Sequence, residues 1–251
     1  AVATEESVSD MESGEGFDRS TLDLLGKQSD LLKALKATGK PLIVIYIQGR
    51  PLNMNWASEN ADALLCAWYP GQEGGNAIAD VLFGDYNPAG RLPISVARSV
   101  GQLPVHYNKR NPVGHNYVEI SSEPLYTFGY GKSYTTFDYK DLRIDKKATH
   151  QYEVSVSVTN TGAVDGDEVV QLYLRNQYAS VSQPNKQLKH FDRIHLKKNE
   201  TKTVTFTLTA EDLSVINMDM KQVVEPKSTF TIMIGSSSND IRQQETLEIQ
   251  E

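Results

Sequence analysis

The chain has 251 residues, of which 39% are hydrophobic and 23% are charged, a composition typical of globular proteins. Its formal net charge of −7 at pH 7 argues against nucleic acid or an anionic membrane as a partner, because both attract positively charged surfaces. No apolar run approaches the roughly 20 residues of a transmembrane helix, so we expect no membrane association. The length favours two domains, since a single hydrophobic core rarely grows beyond this size.

A glutamate lies between two glycines near the start of the chain, within the stretch ESGEGFDR (residues 12–19). The pattern resembles half of the dinucleotide fingerprint G-x-G-x-x-G, but Arg19 occupies the third glycine position and the Glu15 carboxylate would repel a pyrophosphate. At the carboxyl edge of an α/β sheet, shielding from water would raise the pKa of the Glu15 carboxyl and suit it to donate a proton. The residues alone leave two interpretations open: a general acid for glycoside cleavage, and a solvated loop glutamate.

The first half of the chain alternates helix-like and strand-like segments. Leucines at helical spacing before Gly39 predict a helix with a left-handed cap, and the apolar run 42–47 predicts a strand buried on both faces. Residues 63–69 predict a second buried strand, 74–84 a short helix, and 91–96 a further short strand, which together indicate a layered α/β sheet. The side chains expected to face inward from the short helix are Ala77, Ile78, Val81 and Leu82.

In the second half, the apolar period changes from 3.6 residues to 2. Apolar and polar residues alternate through 152–159, which is typical of a half-exposed strand. The segments 168–175, 201–208 and 228–235 show a similar pattern. Short strands separated by turns predict an antiparallel β-sandwich of immunoglobulin or fibronectin III type. The polar segment 106–124 separates the two halves, and a role at the domain interface and a plain surface linker both remain open for it.

The sequence shows no spacing typical of a metal or cofactor site. Cys66, the only cysteine, lies in an apolar run and is expected to be an inert core thiol. The five histidines are scattered, without metal-ligand spacing to a carboxylate or cysteine. We therefore predict no metal and no organic cofactor.

Two groups of aromatic residues allow a carbohydrate-binding interpretation. Trp68 and Tyr69 end the predicted second strand, so we expect them to pack in the core rather than stack on a sugar. A second group, interleaved with glycines, predicts an aromatic joint between the two domains, with sugar contact as the less favoured alternative. The residues of this second group are Tyr126, Phe128, Tyr130 and Tyr134.

Four long stretches, together with SGEGFDR, resemble glycoside hydrolase family 3, which includes β-glucosidases and β-xylosidases. They follow the family's order and spacing, and the likeness covers nearly the whole chain. The four stretches are AWYPGQEGGNAIADVLFGDYNPAGRLPIS (67–95), RSVGQLPVHYN (98–108), EPLYTFGYGKSYTTFDY (123–139) and SVSQPNKQLKHFDRIHLKKNETKTVTFTL (180–208).

The resemblance implies a division of the catalytic residues between domains. Family members carry an aspartate nucleophile on a (β/α)8-like barrel and an acid/base glutamate on a loop of an α/β sandwich domain, and many add a fibronectin III-like domain. This chain is similar to the last part of the sandwich plus the fibronectin III-like domain, so we expect the barrel and its nucleophile to be missing. Glu15 matches the acid/base position, with Glu12 as a rival and Glu6 as a less favoured one. Substrate-binding residues stay unassigned.

These observations lead to one functional expectation and one alternative. We expect the last part of an α/β sandwich domain at 1–105, an interdomain connection at 106–133 and a fibronectin III-like β-sandwich at 134–251. The chain would be the C-terminal portion of a retaining exo-β-glycosidase for terminal β-D-glucosyl or β-D-xylosyl residues, inactive by itself, and periplasmic or secreted. The alternative is a non-catalytic carbohydrate-binding or scaffolding module.

Overall fold

The computed structural model describes residues 19–110 and 116–249, which form two compact units. Among the described residues, the first unit contains 19–86, 96–105 and 116–126. The second contains 87–95, 106–110 and 127–249. The chain therefore enters the second unit briefly, at 87–95, before it completes the first.

The first unit is built on a parallel pair of strands with helices. Its elements are α1 (Gln28–Lys36), β1 (Ile43–Tyr46), α2 (Asn55–Asn60), β2 (Ala63–Cys66), α3 (Gly74–Phe83) and a 3-10 helix (Val100–Gln102). β1 and β2 pair in parallel from Ile43–Ala63 to Tyr46–Cys66. Gly39 and Gly84 have φ of 71° and 85° beyond the ends of α1 and α3, a left-handed conformation that glycine adopts at no steric cost.

The predicted helices and strands of this unit are confirmed, but the predicted burial is partly wrong. Ile43 and Ile47 are exposed on one face of β1, while Val44 and Tyr46 are buried on the other, so the strand is not buried on both faces. On α3, Ile78 and Val81 are half-buried, whereas the side chains of Ala77 and Leu82 are exposed. The reason is that only two strands of this sheet lie within the described residues, so one face of each element has few neighbours to cover it.

The segment 91–96 is not a strand, contrary to the prediction. Its only β-type contact is an isolated antiparallel bridge between Val96 and Tyr126. Pro93 has no N–H to donate to a strand ladder. Arg91 instead turns its side chain into the second unit's buried interior, as described below.

The second unit is a β-sandwich, as predicted. One sheet has the order β3-β4-β7, the other has the order β11-β10-β5-β6, and all their pairings are antiparallel. A short helix and a small hairpin complete the unit. The elements are β3 (Phe137–Ala148), β4 (Gln151–Asn160), β5 (Gly166–Asn176), β6 (Gln187–Leu196), β7 (Thr201–Leu208), α4 (Ala210–Leu213), β8 (Val215–Ile216), β9 (Gln222–Val223), β10 (Thr229–Gly235) and β11 (Ile241–Glu248).

The core of the sandwich follows the period-2 pattern of its strands. Every second residue of β4 is buried, and the same side chains pack against alternate residues of β5 and β10 from the facing sheet. Such burial of apolar side chains between two sheets is the main stabilising contribution in this class of domain. The core residues of these three strands are Tyr152, Val154, Val156, Val158, Val170, Leu172, Leu174, Phe230, Ile232 and Ile234.

Candidate active site and family

The predicted acid/base residue lies outside the described residues. Glu15 and its rivals Glu12 and Glu6 all precede Arg19, where the described part begins. The structure therefore describes the site only from Arg19 onward.

Residues 21–23, the fastened segment, are hydrogen-bonded to one another and to the loop after β1. The backbone N–H of Asn53 donates to the carbonyl oxygen of Leu22 at 2.6 Å. The side-chain amide of Asn53 donates to Oδ1 of Asp23 at 2.8 Å, and Thr21 Oγ1 donates to Oδ2 of the same carboxylate at 2.8 Å. The loop after β1 lies at the carboxyl edge of the parallel pair, where α/β domains place their ligands. Leu22 and Asp23 are thereby held at that edge.

A buried glutamine joins the carboxyl ends of the two parallel strands. Gln48, which is fully buried, donates from Nε2 to Sγ of Cys66 at 3.1 Å. Its Oε1 accepts from the backbone N–H of Leu52 at 3.4 Å. Because a buried amide is costly without partners, these bonds fix the turn 49–52 against β2. Cys66 is half-buried and contacts this amide.

Trp68 and Tyr69 follow β2 at the same edge, and the predicted core position is wrong for Tyr69. The backbone N–H of Gln48 donates to the carbonyl of Trp68 at 3.2 Å, which extends the pairing by one step beyond the strands. Trp68 is half-buried and has φ of 51°, an unusual conformation for a bulky residue. The turn in the backbone places the ring of Tyr69 at the surface, where it is 63% exposed.

A cavity of about 240 Å³ lies beside the fastened segment, between α1, α2 and the end of β1. Its walls combine polar residues with two aromatic residues, Tyr46 and Trp56, and they include Asp23, whose carboxylate accepts a hydrogen bond from Asn53. Burial raises the pKa of Tyr46 to about 12, with Tyr126 adding to the effect. Lining residues of the cavity are Asp23, Leu32, Lys33, Tyr46, Asn53 and Trp56.

The described part of the segment 106–124 is divided between the two units. Residues 116–124 belong to the first unit, where Tyr117 donates to the carbonyl of Gly101 at 2.9 Å. Residues 106–110 belong to the second unit, where the ring of Tyr107 stacks on Phe128 with centroids 4.2 Å apart. The predicted aromatic joint between the domains stays a prediction.

Sequence reasoning missed a buried ion pair in the second unit. Nη2 of Arg91 donates to Oε2 of Glu168 at 2.9 Å, and the hydroxyl of Tyr139 donates to Oε1 at 2.8 Å. Burial outweighs the Arg91 charge and these hydrogen bonds, and it raises the pKa of Glu168 above its ordinary value. The signal was present, because Glu168 has the same strand parity as Val170 and Leu172, and a charge on an inward position requires a partner.

The sequence profile of the "Glycosyl hydrolase family 3 C-terminal domain" matches residues 1–134. The chain belongs to glycoside hydrolase family 3. A second profile, the "Fibronectin type III-like domain", matches residues 168–238 within the β-sandwich. The resemblance inferred from the sequence is therefore confirmed, as are the α/β and fibronectin III-like fold classes.

Proteins similar to this family 3 chain include a beta-xylosidase, a beta-glucosidase and a solved beta-glucosidase structure. A beta-xylosidase of Formosa agariphila is 50% identical over 90% of this chain, and a periplasmic beta-glucosidase of Salmonella typhimurium is 45% identical over 91%. The structure of a beta-glucosidase from Listeria innocua in complex with glucose superposes with a TM-score of 0.89 at 37% identity, over 95% of this chain. The chain spans 32% of the length of each of the two relatives and 35% of the solved Listeria chain.

Two further properties concern only residues 19–110 and 116–249. Within these ranges, no helix has the length and apolar character needed to cross a membrane. Within the same ranges, His, Cys, Asp and Glu side chains form no group of three that could hold a metal ion.

Proposed function

We propose that this chain is the C-terminal portion of a retaining exo-β-glycosidase that removes terminal β-D-glucosyl or β-D-xylosyl residues. One observation carries the proposal: the chain is 50% and 45% identical, over at least 90% of its length, to a beta-xylosidase and a periplasmic beta-glucosidase. Both relatives are about three times as long as the chain, which supports a missing N-terminal portion as its partner. The periplasmic relative also supports a periplasmic or secreted location.

In the proposed mechanism, Glu15 is the acid/base and an aspartate of the N-terminal portion is the nucleophile. The aspartate attacks the anomeric carbon, the glycosidic C–O bond breaks, and the proton of Glu15 passes to the leaving oxygen. The Glu15 carboxylate then takes a proton from water, whose oxygen attacks the same carbon and releases the aspartate. Two inversions leave the β configuration unchanged. Without the aspartate, the chain by itself is inactive.

Features of the described residues support this assignment of Glu15. The chain that follows Glu15 is fastened through Leu22 and Asp23 to the carboxyl edge of the parallel strands. A loop at that edge suits a ligand-facing role. Outside the described residues, the sequence places Gly14 and Gly16 on either side of Glu15, and residues without a Cβ are typical of sites where a ligand approaches the backbone closely.

We further propose a domain organisation with the α/β portion at 1–105, a connection at 106–133 and the fibronectin III-like domain at 134–251. The end of the family 3 profile at residue 134 supports the second boundary. Residues 87–95 group with the second unit, so the chain enters the sandwich once before the connection begins.

The test of the acid/base assignment compares leaving groups in the full-length protein. Glu15→Gln removes the proton donor, so we expect kcat/KM to fall roughly 100-fold or more for a methyl β-glycoside, whose leaving oxygen needs protonation. A dinitrophenyl β-glycoside leaves without protonation, so the first step of its cleavage should be almost unaffected.

Glu12→Gln is the matched control, because it changes the rival carboxylate three positions earlier in the same stretch of sequence. If Glu12→Gln shows the leaving-group dependence and Glu15→Gln does not, the assignment passes to Glu12. Turnover of either substrate by the 251-residue chain alone would contradict the requirement for the N-terminal portion.

A further inference from the structure

The exposed ring of Tyr69 is the feature that the fold leaves unexplained. It stands directly after β2, in a segment where the apolar sequence pattern predicts burial, yet it is 63% exposed. Hydrophobic and aromatic side chains at strand ends normally turn inward, because leaving a large ring in water forfeits the free energy of burial. Its position at the surface is therefore a property of the local backbone.

Two backbone features set the direction in which the chain continues from β2 to Tyr69. Trp68 has φ of 51°, a left-handed conformation that is disfavoured for a bulky side chain and that persists only where surrounding contacts enforce it. Its carbonyl is held by the backbone N–H of Gln48 at 3.2 Å, and Gln48 is itself fully buried. The strained residue is thus anchored to β1, and it directs Tyr69 outward.

The Tyr69 ring also lies against Gly49, and any other residue at position 49 would displace the ring. A Cβ built on Gly49 would lie 2.5 Å from the Tyr69 hydroxyl oxygen and 2.7 Å from two ring carbons. The hydroxyl end of the ring therefore lies against the backbone of Gly49, at the start of the turn that the Gln48 side chain holds. An aromatic side chain held in this way loses little conformational freedom when it binds a ligand, which favours binding.

We propose that Tyr69 is a sugar-binding platform that contacts the leaving-group side of a β-linked oligosaccharide. The inference rests on the proposed glycosidase function. Tyr69 lies at the carboxyl edge of the β1–β2 pair, the edge to which the segment after Glu15 is fastened. The apolar face of a β-glucosyl or β-xylosyl ring fits an aromatic face, and the phenol hydroxyl offers a hydrogen bond to a sugar hydroxyl.

A kinetic experiment on the full-length protein separates this role from general catalysis. For Tyr69→Ala, kcat/KM for a β-linked disaccharide should fall roughly 3- to 10-fold, the loss of one aromatic stacking contact. For a methyl β-glycoside, whose leaving group carries no sugar, kcat/KM should stay unchanged. Tyr69→Phe, which retains the aromatic face, should keep most of the activity on the disaccharide. Equal losses on both substrates, or no loss on the disaccharide, would overturn the proposal.

A binding experiment on the 251-residue chain tests the platform without any glycosidase activity. Saturation-transfer difference NMR with a β-linked trisaccharide at millimolar concentration should show transfer to the axial protons of the sugar faces. Tyr69→Ala should remove at least about half of this transfer, as expected for the loss of a stacking contact. Phe83→Ala is the matched control, because Phe83 is an 84% exposed aromatic residue at the C-terminal end of α3 that the proposal gives no role.

The two experiments fail differently. If the full-length protein cleaves neither substrate, the proposed function is wrong, and the NMR result alone decides whether Tyr69 binds sugar. If cleavage occurs but Tyr69→Ala and Phe83→Ala give the same transfer as the unchanged chain, the platform is wrong and the proposed function stands.

Discussion

The two compact units differ in how completely they enclose their apolar side chains. In the second unit, Leu172, Ile232 and their neighbours are fully buried between two facing sheets. In the first unit, Leu31 is 48% exposed and Phe83 is 84% exposed, although both lie on helices with an apolar face. A sandwich supplies both walls of its core from one continuous stretch of sequence. An α/β layer needs further strands and helices on either side, and the described residues provide few of them.

Breaking the buried ion pair of the second unit should give the largest effect on stability. Arg91→Met leaves the Glu168 carboxylate buried without its cation, and we expect the free energy of unfolding to fall by about 3–5 kcal/mol. Urea unfolding followed by far-UV circular dichroism measures the change. Arg193→Met removes an ion pair to Asp167 whose arginine is half-exposed, and it should cost about 1 kcal/mol or less. Similar costs for the two variants would contradict the distinction.

Truncating one leucine in each unit tests the difference in enclosure directly. Leu172→Ala should lower the free energy of unfolding by about 3 kcal/mol, because it leaves a cavity in a closed core. Leu31→Ala should change it by about 0.5 kcal/mol or less, because alanine favours helix and little burial is lost. Trp56 and Trp68, the only two tryptophans, lie in the first unit, so their fluorescence follows that unit separately. A large loss for Leu31→Ala would show that the first unit is as closed as the second.

The pH dependence of stability should have opposite signs for one carboxyl in each unit. Burial raises the pKa of Glu168 in the folded state. Its contribution to the free energy of unfolding is therefore present below the ordinary glutamate pKa of about 4.3 and is lost as pH rises through the pKa of the folded state. Hydrogen bonds from the Leu42 N–H and then from Lys36 lower the pKa of Asp62. The contribution of Asp62 to the free energy of unfolding is present above about pH 3.9 and is lost as pH falls through its pKa in the folded state.

Comparing each variant with the unchanged chain across pH measures these contributions. Relative to Glu168→Gln, the unchanged chain should lose stability as pH rises from about 4 to 7. Relative to Asp62→Asn, it should lose stability as pH falls below about 4, by a smaller amount because Asp62 is exposed. The same sign for both carboxyls would contradict the assigned pKa shifts.

The fold of the second unit was the easier to predict, for a physical reason. A period-2 pattern indicates which side chains of a strand face inward even where the partner strand is distant in the sequence, so 152–159 and 201–208 were correctly assigned as strands. In the first unit, the apolar sequence pattern predicted that Ile43 and Leu82 would be buried. Both are exposed, because the neighbouring elements do not cover them. Burial there depends on non-local partners, which periodicity does not reveal.

The surroundings of the candidate site were predicted only in part. Motif likeness singled out Glu15, but no pattern indicated that Asn53 would form hydrogen bonds with Leu22 and Asp23, which are 31 and 30 positions earlier in the sequence. Nor did the sequence predict that Tyr69 would turn outward, since the cause is the left-handed conformation of Trp68. A motif in the sequence identifies candidate residues, but it does not show which loops meet at the carboxyl edge of the sheet, and these contacts depend on that meeting.

The role of Glu15 is tested most directly by the product that a Glu15→Gly variant of the full-length protein forms with azide and a dinitrophenyl β-glycoside. If Glu15 is the acid/base, the glycosyl-enzyme ester forms but water attacks it slowly without a base, and azide, which needs none, displaces the aspartate. The account predicts a β-glycosyl azide, identified by NMR, and a turnover rate that rises with azide concentration. Hydrolysis at the unchanged rate, with only the free sugar as product, would contradict it.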